Sequence, residues 1–171
     1  MDAIGTHRVA LKWAGELLEM VMADVTEEQA HWQPPGIANP LGAQYAHAVC
    51  AADTIIHAIL QGQSPLFQSS WAGKTGISEP QMAATQEWAR SVKVDLAALR
   101  PYARAVYAAI EAYVNGLAPE ELQRELDLSA ARLGVQSVDW ILSALVASHI
   151  NNMAGEISCL KGLQGAKGYP F

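Results

Sequence analysis

Apolar residues recur every three or four positions in four long segments of the chain. This spacing places them on one face of an α-helix in each segment. Between these segments we find no alternating pattern convincing enough to predict a β-strand. The sequence therefore predicts an all-α protein built as a four-helix bundle, with long helices over residues 4–25, 40–62, 95–117 and 137–163.

Local signals predict where the shorter elements begin. Thr26-Glu27-Glu28-Gln29 is typical of a capping box, so a short helix is expected to start there and to stop at the prolines that follow. Asn39 is predicted to cap the second long helix, with Pro40 as its first helical residue. Residues 82–92 are predicted to form another short helix.

Residues 63–80 form the longest predicted loop, which follows the second helix. A connection of this length is usually functional or packs as a lid. Trp71 is its most distinctive side chain, and we interpret it as a candidate wall of a binding pocket.

Composition narrows the functions that are expected. The chain has 171 residues, which fits a single domain over residues 1–171, and its net charge of −6 favours no contact with nucleic acid. Only 16% of the residues are charged, which favours coverage of some surface by a second subunit, and we expect a homodimer. No apolar segment is long enough to span a membrane. The two cysteines form no CxxC pair, and with no secretory signal we expect a reduced, cytoplasmic protein.

Polar residues interrupt the predicted apolar face of the fourth long helix. If these polar side chains are buried, each must find a partner, because an unpaired buried polar group costs a few kcal/mol. Two interpretations stay open: a hydrogen-bonded network in the core, or a ligand or metal site. The predicted face consists of Val138, Leu142, Leu145, His149, Asn152, Glu156, Cys159 and Leu163.

The second helix carries the expected counterpart, His47, with Cys50 one turn later. The other histidines lack such a setting. His7 falls on the inward face of the first helix and is interpreted as a core residue, and His57 lies about 15 Å along the helix from His47, too far to share a site. His31 belongs to a single Glu-x-x-His pair, which does not make a di-iron centre.

The chain resembles the DinB-like (YfiT-type) superfamily. The resemblance rests on GAQYAHAVCAADTII around His47, on the C-terminal ASHINNMAGEISCLKGLQGAKGYPF, and on two LTxEEL-like stretches at Val25–Gln29 and Leu117–Leu122. It implies a four-helix bundle with up-down-down-up helix order. It also implies one divalent metal ion, zinc or nickel, held by three histidines.

Carried over to this chain, the resemblance places two of those ligands on His47 and His149, and the third position falls on Met153. A thioether is a poor ligand for zinc or nickel and suits a soft ion such as Cu(I) better. Asn152 or Cys50 is a possible substitute for the third ligand. Glu156, two turns beyond His149, is expected to orient a histidine or to accept a proton, and is the candidate catalytic residue.

The resemblance implies thiol chemistry. Relatives with known activity are S-transferases and isomerases that use low-molecular-weight thiols. We therefore predict a metal-dependent enzyme acting on a small molecule. The alternative is a metal-free bundle that binds a ligand or a second subunit without catalysis, and the methionine at position 153 favours it.

Overall fold

The computed structural model describes residues 2–171, and long helices dominate it. Two π-helical segments, in which the backbone hydrogen bonds join residues i and i+5, extend two of these helices. Ile55–Leu60 continues the helix that ends at Thr54, and Ile141–Ser148 joins a short helix to the one that begins at His149. We refer to residues 138–163 as the last helix. The helices are α1 (Ala3–Met22), α2 (Glu27–His31), α3 (Leu41–Thr54), α4 (Gln86–Ser91), α5 (Leu96–Asn115), α6 (Val138–Trp140) and α7 (His149–Leu163).

Side chains cap most helices where the sequence predicted a start. The capping box at Thr26 is confirmed, with both of its hydrogen bonds present. Asp95 accepts from Ala97 N and Ala98 N, and Ser137 accepts from Trp140 N. The predicted cap at Asn39 is wrong: Pro40 occupies the N-cap position and no side chain caps α3.

The centre of the molecule is α3, which packs against α2, α4, α5 and α7, while α1 packs against α5 and the last helix. Burial on all sides explains why α3 is apolar or small nearly all round. Within residues 41–53, His47 is the one side chain that is not fully buried. His47 is therefore the position at which this part of the central helix is accessible from outside the core.

The predicted inward face of the last helix is wrong beyond Leu142. Asn152, Glu156 and Cys159 are exposed, and His149 is half-buried. The π-helical turn explains the difference, because it takes up one more residue than an α-helical turn and rotates everything after it. From residue 146 onward each buried position falls one residue later than predicted, and the buried face reads Val146, Ile150, Met153, Ile157 and Leu160.

A small β-hairpin precedes the last helix and was not predicted. Its strands β1 (Glu125–Asp127) and β2 (Val135–Ser137) pair in antiparallel fashion, with Leu126 opposite Gln136. Strands of three residues are too short to show alternation in the sequence. Short 3₁₀ turns cover Leu66–Gln68, Pro119–Gln123 and Ser129–Ala131.

The long loop over residues 63–80 lies against the bundle and is tied to it at two places. A carboxylate of α3 holds the start of the loop, through Asp53, which accepts from Leu66 N at 2.9 Å and from Phe67 N at 3.1 Å. Near its end, Ile77 pairs with Val94 in a single antiparallel bridge. Among the described residues, no helix has both the length and the apolar character needed to cross a bilayer.

Candidate functional site

Two histidines from different helices meet between α3 and the last helix. His47 lies in the first half of α3, and His149 is the first residue of α7, directly after the π-helical segment. Their ring centroids lie 4.9 Å apart, with the rings at 84° in an edge-to-face arrangement. The pairing expected from the sequence is therefore present in the folded chain.

The backbone fixes the protonation of one ring. His47 Nδ1 lies 2.9 Å from the carbonyl oxygen of Met82. Because a carbonyl only accepts, Nδ1 must carry the hydrogen, which leaves the lone pair of the neutral ring on Nε2. On the other ring, His149 Nε2 is buried and has no hydrogen-bond partner among the described residues. A buried polar atom without a partner is unusual in a folded protein.

Both rings are poised to be neutral near pH 7. Burial lowers the pKa of His47, and the hydrogen bond to Met82 only partly offsets that effect. The pKa of His149 is lowered to about 4, chiefly by burial and then by the charge that His47 would carry. Neutral imidazoles present the lone pairs that metal binding or proton acceptance requires.

The third position of the site is occupied by Met153, which is buried one helical turn beyond His149. The other side chains proposed for the site are exposed or have partners other than the two histidines. Asn152 is exposed. The Nε2 of Gln44, rather than either histidine, donates to the exposed Glu156. Within residues 2–171, no three His, Cys, Asp or Glu side chains are grouped as metal ligands would be.

Cys50 belongs to a different cluster, which the sequence analysis missed. The hydroxyl of Tyr102 lies beside its thiol, and burial raises the pKa of the thiol to about 12. Tyr102 in turn donates to Asp53 Oδ2 at 2.6 Å, and His57 Nδ1 lies 2.7 Å from Asp53 Oδ1. The spacing of Asp53 and His57, four residues apart on one helix, was the signal that could have found this pair.

Trp71 lies at the edge of this cluster. Its ring packs against the ring of Tyr102, with centroids 5.8 Å apart, and its side chain is half-buried. This contact packs the long loop against α5.

Comparison of the sequence with models of protein families identifies the family of the chain. The model of the DinB superfamily matches residues 10–153. This range contains most of α1, the whole of α3, both π-helical segments and the two facing histidines. The chain belongs to the DinB superfamily. No functionally curated protein matches the chain.

A solved structure carries the DinB fold of this chain over nearly its whole length. It is described as "Crystal structure of the conserved protein of locus from Enterococcus faecalis". The two chains share 19% sequence identity with a TM-score of 0.78, and the match covers 95% of this chain and 97% of the other. At this identity the similarity concerns the fold alone.

The donor set of this DinB chain does not fit the three-histidine zinc or nickel centre that the resemblance implied. Two imidazoles face each other, but the third position offers a thioether. Zinc sites in proteins use at least three strong nitrogen, sulfur-anion or oxygen donors. No reaction step through zinc or nickel follows from this arrangement.

Proposed function

We propose that this DinB protein holds one soft metal ion, of the Cu(I) type, between His47 and His149, with the Met153 thioether as a third donor. We further propose that the site serves reactions of low-molecular-weight thiols, as an S-transferase or an isomerase. The observation that carries the proposal is the buried, unpartnered Nε2 of His149, in a ring that packs edge-to-face with a second imidazole. The up-down-down-up helix order of the bundle is part of the same proposal.

The hydrogen bonding of His47 supports a ligand at its Nε2. Metal-binding histidines usually donate their other ring nitrogen to a carbonyl or carboxylate, which fixes the tautomer and the orientation of the ring. Met82 supplies such a carbonyl. Neutral rings also avoid the competition with protons that weakens metal binding at low pH.

The kind of ion follows from the donors. Thioether and imidazole together suit soft ions, whereas carboxylates and water suit hard ones. A thiol bound to such an ion loses its proton more readily than a free thiol, which is why the proposed site would serve thiol chemistry. The residues of the chain would hold the ion and exclude water, since Met153 and its neighbours Ile150 and Ala154 are buried.

The alternative is a metal-free bundle that binds a small ligand through the two imidazoles. It is favoured by the lack of a third strong donor among the described residues. Here His47 Nε2 would accept a hydrogen bond from the ligand, and His149 Nε2 would complete its own hydrogen bonding on the same molecule.

Metal content decides between the two proposals. Untagged protein is incubated separately with Cu(I) under reducing conditions, with zinc and with nickel, then desalted and measured by plasma mass spectrometry. We expect about one Cu(I) per chain and substoichiometric zinc and nickel. Retention of none of the three ions would contradict the metal proposal and leave the metal-free bundle.

Substitution of Met153 tests the third position. Met153→His supplies a third imidazole, and we expect zinc and nickel affinity to rise by more than about tenfold. Met153→Leu removes the sulfur at similar volume, so Cu(I) affinity should fall while the free energy of unfolding changes by less than about 1.5 kcal/mol. Both are measured by competition with a chromogenic chelator.

Two controls accompany this test. Met22→Leu replaces another buried methionine, on α1, and should leave Cu(I) affinity unchanged. Cys50→Ala should also leave it unchanged, because that thiol faces Tyr102. A loss of Cu(I) binding in Cys50→Ala, but not in Met153→Leu, would assign the third ligand to the cysteine instead.

A further inference from the structure

A groove of about 340 Å³ runs between α1 and α5, on a different side of α3 from the histidine pair. Tyr45 reaches the groove side of α3, and His47, two residues later, projects roughly 200° away around the helix. The groove has an apolar floor and a charged rim. Leu11, Ile110 and Tyr107 form the floor. Its volume suits a small organic molecule.

The carboxylate of Glu19 projects into the groove from α1. Only one of its oxygens is used by the protein: Oε1 accepts from the hydroxyls of Tyr45 at 2.6 Å and Tyr107 at 3.3 Å. No hydrogen bond to Oε2 is present among the described residues. Burial raises the pKa of Glu19, despite the opposing effects of the two tyrosines and of Arg104 and Arg100.

A glycine, which has no side chain, helps to form the floor of the groove. A Cβ on Gly15 would lie 3.3 Å from Cδ1 of Tyr107, closer than most real Cβ contacts. Glycine at this position therefore lets the tyrosine ring lie flat against α1. The ring then forms part of the floor and brings its hydroxyl to Glu19.

Opposite charges face the same cavity. Glu19 contributes a carboxylate from a half-buried position, and the exposed Arg104 of α5 lines the groove as well. Glu19 and Arg104 line the same cavity without forming an ion pair with each other among the described residues, so both charges are open to one small molecule. A ligand with a positive and a negative end beside an apolar body would match all three features.

We propose that the groove between α1 and α5 binds a small zwitterion with an apolar body, of the free α-amino-acid class. Its ammonium group donates to Glu19 Oε2, and its carboxylate pairs with Arg104. Its apolar side chain lies on Leu11, Ile110 and Tyr107. The site is independent of the proposed function, since none of these residues belongs to the histidine pair.

The simplest competing explanation is that Glu19 only satisfies the hydroxyl of the fully buried Tyr45. A glutamine could satisfy that hydroxyl equally well, because its amide oxygen also accepts. A carboxylate at this place carries a desolvation penalty that an amide avoids. A ligand that binds the free oxygen of Glu19 and the guanidinium of Arg104 would explain why a carboxylate is present despite this penalty. The structural explanation does not.

Calorimetric titration with three matched probes tests the proposal. L-phenylalanine carries both charges, phenethylamine lacks the carboxylate, and 3-phenylpropanoate lacks the ammonium group. We expect L-phenylalanine to bind and each single-charge probe to bind at least about tenfold more weakly. Binding of the amine as tight as that of the amino acid, or no binding of L-phenylalanine, would overturn the proposal.

Two variants assign the charges. Glu19→Gln keeps an acceptor for Tyr45, and Arg104→Gln changes an exposed residue, so both should fold; each should weaken L-phenylalanine binding by at least about tenfold. Glu120→Gln, an exposed carboxylate outside the groove, is the matched control and should bind as the parent does. Unchanged binding in Arg104→Gln would contradict the proposed geometry even if Glu19→Gln proved unstable.

Discussion

The two cysteines of the chain occupy opposite environments. Cys50 is completely buried in α3, where its thiol meets Tyr102 and where burial raises its pKa to about 12. Cys159 lies exposed on α7. Because the thiolate is the reactive form, accessibility and pKa both act against the first thiol.

Thiol titration should separate the two residues. In the native protein at pH 8, a chromogenic disulfide reagent should modify Cys159 rapidly and Cys50 only on the timescale of unfolding. In denaturant both should react. Cys159→Ser, which removes the exposed thiol, should abolish the rapid phase. Rapid reaction of two thiols in the native protein would contradict the buried setting of Cys50.

Glu19 should make stability depend on pH. Its pKa in the folded state lies above the ordinary value of 4.5, chiefly through burial. Between 4.5 and the raised value the folded chain binds more protons than the unfolded chain, so the free energy of unfolding falls as pH rises through this window. Glu19→Gln cannot ionise and should lack this fall.

The measurement is urea unfolding of both proteins from pH 4 to pH 8. The stability of Glu19→Gln relative to the parent should increase with pH across the window. Glu120→Gln reports the effect of losing an exposed surface charge. A constant difference between Glu19→Gln and the parent at all pH values would show that burial does not raise the pKa of Glu19.

Single residues differed in how far the sequence could predict them. The histidine pair was predicted because a family resemblance placed His47 and His149 together. Asp53 and Glu19 were not, because an acidic residue within a helical segment is usually exposed. Their roles depend on tyrosines from other helices, Tyr102 for the first and Tyr45 for the second, and such contacts are set only when the helices pack.

At the scale of elements, the end of the long loop depends on a close approach of two backbones. Gly76 has a φ of +71°, and a Cβ there would lie 2.5 Å from Asp95 O and 2.6 Å from Leu99 N. Its carbonyl accepts from Asp95 N at 2.7 Å. The loop can therefore reach the start of α5 only with glycine at this position.

A matched pair of substitutions isolates the contact from the backbone strain. Gly73 has the same φ of +71°, but a Cβ added there would have no neighbouring atom within 4 Å. Gly73→Ala should cost roughly 1–2 kcal/mol of stability from the left-handed conformation alone. Gly76→Ala should cost at least about 2 kcal/mol more, because it also overpacks the contact with α5. Chemical denaturation measures both, and equal losses would contradict the close approach.

Elements with local signals were predicted better than elements whose geometry departs from the regular helix. The box at Thr26 and the caps at Asp95 and Ser137 depend on bonds within one turn, which the sequence shows directly. The π-helical segment Ile141–Ser148 has no comparable signature, because its residues are ordinary helix formers. The inward face of the last helix was therefore predicted one residue too early from position 146 onward.

For the whole molecule, helical periodicity was sufficient to predict a mostly helical fold, because amphipathic helices must bury their apolar faces against one another, and the family came from the resemblance of the motifs. The periodicity does not specify what covers the outside. On α1, Val9 and Trp13 lie one turn apart and are 58% and 47% exposed, so an apolar patch faces outward.

The homodimer expected from the low charged fraction stays a prediction, and sedimentation equilibrium tests it. We expect a mass of twice the 18.3 kDa chain at micromolar concentration. If α1 contributes to the interface, Trp13→Glu should shift the equilibrium towards the monomer, because a buried unpaired charge opposes association. Lys12→Glu, the neighbouring exposed position, is the control. A monomer in the parent protein would contradict the prediction.

The π-helical segment before His149 also indicates how the sequence of the last helix evolved. A turn that holds one surplus residue is what remains when a codon is inserted into a helix and the flanking contacts are kept. Removing one residue between 142 and 146 should restore α-helical bonding and leave the downstream helix in place. Met153, Ile157 and Leu160 would still face inward, each one position earlier in the sequence, where the regular helical period predicts the inward face. An alignment of this chain to its relatives should therefore carry a one-residue gap in that interval.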